Sequence, residues 1–77
     1  MKQVNLILAS NIQSYRKKLG LTQVELGDRL GVTPQAVSKW EKGASAPDIS
    51  LIPVLASLFG CQINELFLPS ENKVSKK

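Results

Sequence analysis

Four side chains in one short segment could do hydrogen-bonding chemistry together: Gln35, Ser38, Lys39 and Lys42. Their spacing of i, i+3, i+4 and i+7 places them on a single stripe of an α-helix. A carboxamide, a hydroxyl and two ammonium groups on one face are suited to flat base edges and to phosphate oxygens. Glutamine can make a bidentate contact to adenine, and lysine can donate to O6 and N7 of guanine. Ser38 suits either a base or a phosphate. Behind this stripe stand Val37 and Trp40, an apolar pair at i, i+3 that would anchor the helix to a core. Catalysis is not indicated. The chain has no His, no nucleophile beside a base and no phosphate-cradling glycine loop. Glu25, Asp28 and Glu41 have surface or pairing roles available to them, so the chain is not read as an enzyme.

The elements around this stripe follow from caps and periodicity. Thr22 with Glu25 three residues later is a capping box opening a helix at Gln23. Thr33 caps the next helix, and Pro34 stands in its first turn, where a missing N–H does no harm. The reading is all-α with five helices: residues 4–19, 23–30, 34–42, one starting near Asp48 or Ser50 and ending near Phe59, and a short one over 63–67. Pro53 favours the later start of the fourth. Leu8, Ile12, Tyr15 and Leu19 form an apolar stripe on the first helix, and Leu26 and Leu30 face the core from the second. Gly20, Gly31, Gly43 and Gly60 each follow a helical segment, where a left-handed terminus is expected. Gly27 is different. It sits inside a helix, where it costs roughly 1 kcal/mol against alanine, and close approach by the next helix is the expected compensation.

Composition narrows the class further. The 77 residues leave room for one domain, and 43% of them are hydrophobic. That domain is read over residues 1–69, with 70–77 as a disordered basic tail holding Lys73, Lys76 and Lys77. The net charge of +4 favours polyanionic partners. There is no apolar run of membrane-spanning length, and the apolar run in MKQVNLILAS is too brief for a signal peptide. Lone Cys61 excludes an internal disulfide and fits a cytoplasmic setting, with a small core residue as its role. Without His or a second Cys, a zinc site lacks its usual ligands. No metal or other cofactor is expected.

Residues 8–68 resemble the helix-turn-helix family of Cro and lambda-type phage repressors, also called XRE-like. The matching residues are Arg16, GLTQVEL at 20–26, LGV at 30–32, TPQAVSKWEKG at 33–43, Pro47, LA at 55–56 and INEL at 63–66. The resemblance implies a lambda-repressor-like domain whose helices 2 and 3 form the helix-turn-helix. It implies a regulator of transcription that reads a double-stranded DNA operator in the major groove with helix 3. The family's base-reading positions fall on Pro34, Gln35, Ser38 and Lys39. Pro34 departs from the polar reader found in relatives, and leaves only ring contact to a thymine methyl. Gln23 matches a phosphate-contacting glutamine, beside Thr22 at the same helix N-terminus. Thr33, Lys42, Gly43 and Ser45 complete the phosphate set. Arg16 and Glu41 match a family ion pair that would orient helix 3.

Family members commonly act in pairs, with two helices entering grooves roughly 34 Å apart. A palindromic operator and a homodimer are therefore expected, with Ile63, Leu66, Phe67 and Leu68 as the candidate pairing surface. The function expected is that of a repressor that excludes polymerase sterically. The alternative is an antitoxin-type or other protein-binding module on the same fold.

Overall fold

The computed structural model describes residues 2–69. Helix α1 runs over Lys2–Lys18, α2 over Gln23–Leu30, α3 over Pro34–Lys42 and α4 over Ile52–Phe59. Two 3₁₀ segments, Ile49–Leu51 and Ile63–Phe67, flank α4, and no strand occurs among the described residues. The all-α reading therefore holds, but the fifth helix is a 3₁₀ segment. Its shortness has a physical cause. A segment of five residues, Ile63–Phe67, has room for little more than one α-helical turn. The carbonyls at its end are also occupied from outside. Asn11 Nδ2 donates to Leu66 O and Leu68 O at 2.8 Å each, with Glu65 O at 3.4 Å.

Caps set the other boundaries. Thr22 Oγ1 accepts from Glu25 N at 3.0 Å, and Glu25 Oε1 accepts from Thr22 N at 2.8 Å. Thr33 Oγ1 accepts from Ala36 N at 3.1 Å. The fourth helix starts later than Asp48 or Ser50, with Pro53 in its first turn. The 3₁₀ turn ahead of it is capped by Asp48, whose Oδ2 accepts from Ser50 N and Ser50 Oγ. Those two bonds, the hydroxyl's first, hold the Asp48 pKa below its usual value.

Helix α1 stops one residue before Leu19. Gly20 takes a φ of +73°, its N–H bonds to Lys17 O, and Leu21 N–H reaches back to Arg16 O. This Schellman turn swings Leu19 outward, where it is 46% exposed, and brings Leu21 against the core instead. Leu19 therefore leaves the apolar stripe that periodicity assigned it. Residues 70–77, read as a basic tail, lie outside the described residues.

One core collects a face from every helix. Leu8 and Ile12 of α1, Leu26 of α2, Val37 and Trp40 of α3, and Ile52, Leu55, Ala56 and Phe59 of α4 meet there with Leu66. Tyr15 stacks on Phe59 with ring centroids 5.2 Å apart, and Cys61 packs at the same edge. Burial, and then a bond to Cys61, push the Tyr15 pKa up to about 12.

Gly27 explains how α2 and α3 can sit so close. A Cβ at this position would lie 2.7 Å from Val32 O and 3.3 Å from Thr33 C. The obstacle is backbone, which cannot rotate away. Gly27→Ala is expected to destabilise the fold by about 1–3 kcal/mol despite alanine's better helix propensity. Urea denaturation checks this, and a stabilised variant would mean that the turn between α2 and α3 relaxes freely.

Candidate nucleic-acid interface

Helix α3 presents two contrasting faces. Val37 and Trp40 are buried, while Gln35, Lys39 and Lys42 are exposed. Ser38 and Pro34 are half-buried at the margin of the exposed stripe. Pro34 occupies the first turn, as its lack of an N–H requires.

The two helix N-termini nearby differ from a plain row of free donors. Thr22 N–H and Glu25 N–H close the capping box, which leaves the N–H groups of Gln23 and Val24 at the open end of α2. At α3, Ala36 N–H is taken by Thr33, and Gln35 N–H remains. Gly43 closes α3 with a φ of +75°, and its own N–H bonds to Trp40 O at 3.1 Å. That N–H is therefore already used within the turn. Lys42 and Ser45 flank it and are exposed.

Beneath this surface lies an ionic clamp. Arg16 Nε donates to Glu41 Oε2 at 2.6 Å, and Arg16 Nη2 donates to Glu41 Oε1 at 3.1 Å. Arg16 Nη1 donates to Leu21 O at 2.7 Å, so the guanidinium ties α3 to both α1 and the turn before α2. The side chains are 11% and 2% exposed respectively. The bonds to Glu41 outweigh the opposing burial and hold the Arg16 pKa above its already high usual value. Glu41 Oε1 also accepts from Gln23 Nε2 at 3.1 Å. One carboxylate thus joins the end of α3 to the start of α2.

The sequence pairs Arg16 with Glu41 through the family resemblance but gives no sign that Gln23 joins them. Asn11 is a further functional side chain absent from the sequence expectations. The available signal was an asparagine in the middle of the apolar stripe, between Leu8 and Ile12, where a polar group needs partners. Of the four residues named as a pairing surface, Ile63 is 47% and Phe67 38% exposed. Leu66 is fully buried and is removed from that surface: it fills the core, and Asn11 holds its carbonyl. Among the described residues, no group of His, Cys, Asp and Glu is arranged to hold a metal ion. No helix there is long and apolar enough to cross a membrane.

Residues 12–66 match the family model described as helix-turn-helix. The chain belongs to this family. A helix-turn-helix transcriptional regulator of Methanothermobacter thermautotrophicus, itself uncharacterised, is 40% identical over 62 residues, covering 79% of this chain and 90% of the relative. The transcriptional repressor RstR of the cryptic phage CTXphi, from Vibrio cholerae, is 30% identical over 71 residues, covering 92% of this chain and 64% of its own. Among solved structures, the P22 c2 repressor in complex with a synthetic operator superposes with a TM-score of 0.73 at 30% identity. The match covers 78% of this chain and 91% of that one. This helix-turn-helix chain is thus similar to regulators of transcription in both sequence and fold.

The clamp predicts a large penalty for breaking it from one side. Arg16→Met leaves the Glu41 carboxylate buried with only Gln23 as a partner, and a loss of about 3–5 kcal/mol is expected. Chemical denaturation measures it. A loss below about 1 kcal/mol would mean that water reaches Glu41 easily.

Proposed function

We propose that this protein is a sequence-specific repressor that inserts α3 into the major groove of double-stranded DNA. The observation that carries the reading is the division of α3: Val37 and Trp40 hold it from behind, and Gln35 and Lys39 project from the opposite side. Membership of the helix-turn-helix family and the operator-bound state of the similar P22 c2 repressor support it. Gln35 and Lys39 read base edges, Ser38 reads a base or binds a phosphate, and Pro34 offers its ring to a thymine methyl. Thr22, Gln23, Thr33, Lys42, Gly43 and Ser45 contact the phosphate backbone and fix the register without reading sequence.

A single α3 spans only a few base pairs, so two copies act together on a palindromic site. Ile63, Phe67 and Leu68 form the pairing surface. Repression follows from occupancy: the bound pair excludes polymerase. The whole action takes place in the cytoplasm, where the DNA is.

Two substitutions separate reading from anchoring. Gln35→Ala should lose about 1–3 kcal/mol against the preferred base pair and relax discrimination there. Competition binding to single-base variants of a selected site measures it, and equal losses on all variants would remove Gln35 from the readers. Lys42→Ala should weaken binding evenly across sequences and reduce the log–log salt slope by about 1. Titration at several salt concentrations checks this, and an unchanged slope would take Lys42 off the phosphate list.

A further inference from the structure

Glutamine side chains on protein surfaces are long and rotate freely, so holding one on a phosphate carries an entropic cost. Gln23 is not in that position. It is half-buried, and its Nε2 already donates to Glu41 Oε1 at 3.1 Å. A carboxamide nitrogen carries two hydrogens, and the bond to Glu41 uses one. The acceptor is itself immobile, because Arg16 grips both of its oxygens from the other side.

We propose that Glu41 is a positioning residue for DNA-backbone binding, acting through Gln23. It fixes the carboxamide so that the second Nε2–H points out beside the open N–H groups of α2. There it meets a phosphate together with those backbone donors. Arg16 neutralises the carboxylate, so the buried negative charge does not repel the incoming phosphate. Glu41 lies at the end of α3 and Gln23 at the start of α2, so the same link sets the distance between the helix that anchors and the helix that reads. This inference rests on the proposed DNA binding, and it adds a role for Glu41 that the Arg16 pairing alone does not give it.

The test is a double-mutant cycle on a mixed-sequence duplex about two helical turns long, which suffices because phosphate contacts carry no sequence information. Gln23→Ala and Glu41→Leu, which removes the acceptor of the Gln23 bond, should each weaken binding by about three- to tenfold. In the Gln23→Ala background, Glu41→Leu should change affinity by less than about twofold. Equal losses in both backgrounds would overturn the proposal while leaving DNA binding intact. A wild-type chain that does not bind the duplex at all would overturn the proposed function, and this role with it. If Glu41→Leu fails to fold, ¹⁵N relaxation of the Gln23 side-chain amide in the wild-type protein decides. An order parameter near about 0.85 is expected, and a value below about 0.6 contradicts a fixed carboxamide.

Discussion

The Glu41 carboxylate is the constraint on which the rest of the surface depends. It is almost fully buried, so it must be paired, and each of its partners comes from a different element. Arg16 brings α1, and through Leu21 O the turn ahead of α2. Gln23 brings the first turn of α2. Replacing such a cluster by apolar side chains would not necessarily lower stability. What apolar packing cannot supply is direction. Three hydrogen bonds to two oxygens define where α3 ends relative to where α2 begins, and the exposed stripe inherits that definition.

Packing supplies the second constraint. Val37 and Trp40 leave α3 one way to face, and Gly27 lets the α2–α3 turn pass within contact of helix backbone. Asn11 does a comparable job for the last 3₁₀ segment. A single carboxamide donates to carbonyls of the last 3₁₀ segment and keeps Leu66 in the core while Ile63 and Phe67 stay outside. The α2–α3 pair and the last 3₁₀ segment are thus each oriented by buried polar side chains beside an apolar core, as expected where a unique arrangement matters more than maximal burial.

Local signals were the legible ones. The capping residues Thr22 and Thr33, the proline in the first turn of α3 and the glycine inside α2 each act over a few residues, and each was readable from neighbouring letters. The apolar stripes of α2 and α3 were readable for the same reason. Leu19 misled because periodicity has no knowledge of where a helix stops: the Gly20 turn ends the spiral just before the stripe would have claimed it. The 3₁₀ form of residues 63–67 and the burial of Leu66 depend on Asn11, more than fifty positions away, and no local pattern reports such a contact. The Gln23–Glu41 bond was hidden likewise. Both residues had roles of their own in the sequence, and only the fold shows that they share an atom.

The proposed repressor activity requires α3 to meet DNA through the side that Gln35 and Lys39 occupy. Its most direct test is the set of intermolecular NOEs between isotope-labelled protein and an unlabelled duplex selected from a random library. Contacts from Gln35, Ser38 and Lys39 side-chain protons to base protons in the major groove are the predicted result. A complex in which those protons show no contact to the duplex, while another face of the protein does, would contradict it.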